Sequence, residues 1–173
     1  MDWNDMSLEE FHRNFRSDVQ ATIAERVEAD EGPFPSEELV FAEKVMEHVA
    51  ETGICEEPVV CHWNGKVGNA KLRITGYAVS ADETALDLFV THYFGTENLQ
   101  DLADSDATAT AAEGVRFLFR AASGNLDARI DPTHSVRDLV ATIRSRWSDI
   151  DRLRVFVITD GKMRALFTML FGA

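Results

Sequence analysis

The chain has 173 residues, 45% of them hydrophobic and 27% charged, with a formal net charge of -13; this is the make-up of one globular domain with a core of its own, not of a disordered segment. Such a charge argues against an unaided grip on a phosphate backbone, although a local basic strip can coexist with acidic bulk. Two cysteines exclude a disulfide scaffold, and no apolar run is long enough for a membrane helix.

Ser7 followed by Glu10 forms a capping-box pattern, and Leu8, Phe11, Phe15, Val19 and Ile23 recur at helical spacing. A first amphipathic helix is predicted over 7–29. A charged loop with two prolines, EADEGPFP, ends at Ser36, an N-cap with Glu37 and Glu38 in the turn where the helix dipole favours acids. The second helix buries Leu39, Ala42, Val45, Met46 and Val49 and reaches about Thr52, where Gly53 suits a C-cap.

A strand-rich block follows. Residues 58–63 read as a strand, and Asn64-Gly65 as a hairpin turn. Lys71 to Val79 alternates Leu72, Ile74 and Gly76 with Arg73, Thr75 and Tyr77. SADET then turns the chain. Ala85 to Phe94 is the most hydrophobic strand and reads as central to a sheet.

Helix returns at Asp104 and ends at Gly124, and the acids Asp101, Asp104 and Asp106 read as a solvated loop and cap. Ser135 with Asp138 reads as a further cap, leading a helix with Val136, Leu139, Val140, Ile143 and Trp147 inside. Leu153 to Thr159 is dense in β-branched and aromatic residues, as in a strand covered on both faces. Asp160-Gly161 turns it, and Met163 to Phe171 reads as a last strand. The apolar end, RALFTMLFGA, is expected to dock on something, either a continuation of the polypeptide or a partner. The architecture expected is α/β: a central mixed β-sheet flanked by helices, in a single domain over 1–173.

The acidic, charge-broken N-terminus is not a signal peptide, and two unpaired cysteines suit reduced thiols in the cytoplasm. Cys61-His62 could contribute to a metal site only with ligands drawn from the scattered His12, His48, His92 or His134. No Gly-rich phosphate loop, GxSxG elbow or HExxH pair is present.

Four runs in order, FAEKVMEHVAETGICEEP, RITGYAVSADETALDLFVTHYFG, VRFLFRAASGNLDARID and LRVFVITDGK, resemble the N-terminal domain of the abortive infection phage resistance (AIPR) family. The resemblance spans roughly Leu8 to Lys162. It implies a phage-defence setting, a restriction-endonuclease-like fold of the Mrr type, and a place at the front of a longer defence protein. In that fold two strand carboxylates hold magnesium, a lysine two residues beyond the second orients water, and a helix glutamate completes the shell. Carried over, the helix glutamate falls near Glu43, the first strand acid on Thr75, the second on His92 and the lysine on Phe94.

The resemblance thus implies a nuclease-like domain that is catalytically degenerate and has a structural role. It would pair with the rest of its polypeptide, a second copy or a nucleic-acid complex. Two other readings stay open. One is an active magnesium-dependent nuclease with a rearranged catalytic site of Glu43, Asp87 and His92, the metal on Glu43 and Asp87. The other is an acidic protein-binding module. Asp87 inside a hydrophobic strand is expected either to face outward or to pair with Arg73.

Overall fold

The computed structural model describes residues 6–29, 32 and 35–163. Helix α1 spans Leu8–Glu28 and α2 spans Glu37–Glu51; the Ser7 and Ser36 hydroxyls accept from the Glu10 and Leu39 amides, as their positions predict. Gly53, at φ +74, lets the chain leave α2 through the left-handed region.

Strands β1 (Val59–Val67), β2 (Ala70–Val79) and β3 (Ala85–His92) form an antiparallel meander. Helix α3 (Asp104–Ala122), a 3-10 turn and α4 (Val136–Arg146) then lead to β5 (Arg152–Thr159), which pairs parallel to β3. Among the described residues the sheet order is β1-β2-β3-β5, so β3 is internal as expected. A short parallel pair joins β4 (Asp101–Leu102) to β6 (Lys162–Met163). The rest of the last strand expected from the sequence, to Phe171, lies outside the described residues.

Strand alternation sends neighbouring side chains of β3 to opposite helical layers. Leu86 and Leu88 pack with Phe117 and Leu118 of α3 and Leu139 and Ile143 of α4. Phe89 instead meets Ala42 and Met46 of α2, with Ile158 of β5. Helix α1 covers α2 from outside through Val19, Val40 and Phe41. Each such fully buried side chain is worth about 1.5–3 kcal/mol of transfer free energy. Helices on both faces of a mixed sheet make this an α/β fold.

Three local expectations are corrected. Asn64-Gly65 does not turn: β1 runs through it, and the two-residue turn falls at Gly68-Asn69, between the paired Val67 and Ala70. Gly65 is needed because the Trp63 ring lies across it, 2.6 Å from where a Cβ would stand. Ser135 occupies the N-cap position of α4, but its side chain makes no capping bond; the Val136 amide donates to His134 Nδ1 instead. Trp147 lies just past the end of α4, 42% exposed, against Phe119. Strand β5 is covered on both faces as expected, Val155 packing against the α3–α4 layer and Phe156 and Ile158 against α2. It is an edge strand among the described residues, with most of its side chains half-buried.

Candidate functional site

The first place where the resemblance implies an acid, Thr75, lies on β2 beside its antiparallel neighbour β3. Thr75 and Thr91 meet there, both fully buried. The Thr75 hydroxyl accepts from the Thr91 amide at 3.0 Å and pairs with the Thr91 hydroxyl at 2.9 Å. One residue on, His92 points to the other face of β3, toward α3, where its Nδ1 lies 3.1 Å from Thr110 Oγ1. Its ring contacts Phe94. Magnesium requires oxygen ligands in near-octahedral array. Two hydroxyls engaged with each other, an imidazole bonded to a threonine and a phenylalanine do not fit that ion.

The acid of β3 stands elsewhere. Asp87 is buried, and its partner is Arg154 of β5 rather than Arg73. The pair is bidentate: Nε donates to Oδ1 and Nη2 to Oδ2, both at 2.7 Å. Nη2 also donates to the Ile54 carbonyl, and the guanidinium lies 5.1 Å from the centre of the Phe156 ring. The outward-facing orientation is thereby overturned, because the register sets Asp87 directly beside Arg154. The hydrogen bonds it donates to Asp87 hold Arg154 more firmly in its charged form. Burial, with the Asp87 charge next in weight, raises the Cys55 thiol beside them.

Glu43, the helix glutamate, faces α1. Its Oε2 is buried 2.7 Å from Arg26 Nη2, an ion contact without hydrogen-bond geometry. Glu43, Asp87 and His92 are each engaged with a different neighbour: an α1 arginine, a β5 arginine and an α3 threonine. Among the described residues no three His, Cys, Asp or Glu side chains form a group able to hold a metal ion. Cys55 and Cys61 are free thiols, both buried, and burial pushes Cys61 up to about 12.

One polar constellation escaped the sequence reading. Arg73 is held between Glu113 of α3, at 3.0 Å, and Glu38 of α2, at 3.6 Å, and donates to the Thr91 carbonyl. These groups border a groove of about 370 Å³ with His62, Lys66 and Lys71 on its rim. Arg73 thus ties both helical layers to the sheet next to the threonine pair. The sequence shows Arg73 only as a polar position in an alternating strand, with no sign of its partners forty residues away.

The model for the abortive infection phage resistance protein N-terminal domain matches residues 41–168. No curated protein and no solved structure matches the chain.

Proposed function

The chain belongs to the abortive infection phage resistance N-terminal domain family, and so to phage defence; within that role we propose that it is a nuclease-like domain, catalytically degenerate, that serves as a structural or interaction module. The order helix, three-strand meander, helix and parallel strand supports the nuclease-like part. The buried Thr75–Thr91 pair carries the degenerate part. Thr75, its hydroxyl bonded to that of Thr91, and His92, bonded to Thr110, stand where a cleaving site needs charged oxygens to gather a cation and polarise a phosphate.

In this reading the charges nearby maintain the fold. Arg73 joins α2, α3 and the sheet, and Asp87 joins β3 to β5. The partner is the rest of the polypeptide or a second copy, and nucleic acid is engaged through that assembly.

The test is cleavage of supercoiled plasmid and of a single-stranded RNA by the full chain, with magnesium or manganese. Intact substrates at enzyme excess are expected, together with sedimentation as a defined assembly when the partner polypeptide is present. Metal-dependent cleavage that Glu43→Gln, Asp87→Asn or His92→Ala abolishes would overturn the reading in favour of an active, rearranged site.

A further inference from the structure

Between α1, α2 and the carboxyl end of the β3–β5 pair lies a groove of about 260 Å³, apart from the positions discussed above. Its wall is aromatic: Phe15 meets Phe41 edge-on at 5.6 Å, and Phe41 meets Tyr93 at 5.1 Å. Val45 and Val49 extend the apolar lining.

Two polar side chains of α1 interrupt it. His12 is only 7% exposed, and its Nδ1 is buried with no hydrogen-bond partner. Arg16, one turn further and on the same face, has a buried Nη1 that is also unpartnered. Its Nη2 lies 3.6 Å from Glu37 Oε1, too far for a hydrogen bond. A buried donor left unpaired costs about 1–3 kcal/mol, and more when charged. Two such groups on one groove mark a place where a partner group is missing.

The chemistry of the partner follows. A guanidinium only donates, so the ligand must accept, and a carboxylate matches its planar geometry best. Of the acids close by, Asp160 spends both oxygens on the Phe94 and Gly95 amides. Glu37 faces Arg16 Nη2 and Tyr93, but its Oε1 is itself buried without a hydrogen-bond partner, so it does not satisfy Arg16 Nη1. The volume suits a small body, and an apolar cleft with a few converging polar groups is the usual form of a small-molecule site.

We propose that this groove binds a small aromatic or alkyl carboxylate. Its apolar body lies along Phe15, Phe41 and Val49, and its carboxylate accepts from Arg16 Nη1 and from His12 protonated at Nδ1.

The probe is 2-naphthoate, with neutral 2-naphthamide as its control, added to the full chain and followed by calorimetry and ligand-observed NMR. One 2-naphthoate per chain is expected, bound more tightly than the amide. Arg16→Gln should weaken 2-naphthoate about tenfold, the loss of one hydrogen bond to a charged group, and weaken the neutral amide by less. Val49→Trp, which fills the groove, should abolish binding of both while an unchanged melting profile confirms the fold. Absence of 2-naphthoate binding to the wild type overturns the proposal. So does binding that ignores both substitutions, or binding seen only after removal of residues 164–173, which would assign the groove to that segment.

Discussion

Replacing Asp87 or Arg154 should unbalance the domain unequally, and the asymmetry can be worked out beforehand. The Asp87 side chain is 6% exposed and the Arg154 side chain 34%. Removing Arg154, as Arg154→Met, strands a buried carboxylate with both oxygens bare; breaking a buried pair in this way costs about 3–5 kcal/mol. Removing the carboxylate, as Asp87→Ala, leaves a guanidinium that reaches water and keeps the Ile54 carbonyl. The cost there should fall to about 2–3 kcal/mol, roughly 4–12 °C in melting temperature for a chain of this size. The double variant should be less damaging than the sum of the two, with a coupling of about 2 kcal/mol in a urea-unfolding cycle. A coupling below about 0.5 kcal/mol, the level of an exposed ion pair, would refute the reasoning. So would Arg154→Met proving milder than Asp87→Ala.

Two further outcomes are expected. A Cβ on Gly76 would lie 2.3 Å from Met46 Cε and 2.7 Å from the Val59 carbonyl oxygen; Gly76→Ala should cost about 1–3 kcal/mol in chemical unfolding, and Met46→Ala should recover only part of it, because the Val59 contact is backbone. Full recovery by Met46→Ala would contradict this. Burial raises the Cys61 thiol from an ordinary 9.0 to about 12, so the folded chain keeps a proton that the unfolded chain releases. The stabilisation is therefore complete below about pH 9 and is lost toward pH 12, at about 1.4 kcal/mol per pH unit from this group. Unfolding midpoints measured across that range should fall less steeply in Cys61→Ala, and parallel slopes would exclude the thiol as a source.

The helices and the central strand were legible because their signals are local. Ser7 and Ser36 cap the helices they precede, and the run from Ala85 to His92 is buried along nearly its whole length, as its composition demands. The β1–β2 turn was misplaced because Asn64-Gly65 is a turn signal by propensity, whereas this glycine makes room for the Trp63 ring. Trp147 fits the helical period of α4, but the helix ends one residue earlier. At the candidate site the gap is larger. That Asp87 is more than a solvated surface acid could be suspected from its apolar neighbours, but Arg154 as its partner depends on the parallel register of strands far apart in the chain. Thr75 and Thr91 read as ordinary strand residues, and only the antiparallel pairing of two neighbouring strands joins their hydroxyls.

The parallel pairing of β3 with β5 has a consequence for how the domain comes together. The meander joins strands that follow one another, so its closures are short, whereas β5 returns only after α3 and α4 have been threaded, and that long closure carries the larger entropic burden. Carboxylates fasten both ends of this late seam. Asp87 grips Arg154 near its start, and Asp160 takes the Phe94 and Gly95 amides beyond its finish. In a chain crowded with negative charge, these two acids act as latches on the step that converts a hairpin array into a sheet covered by helices on both faces.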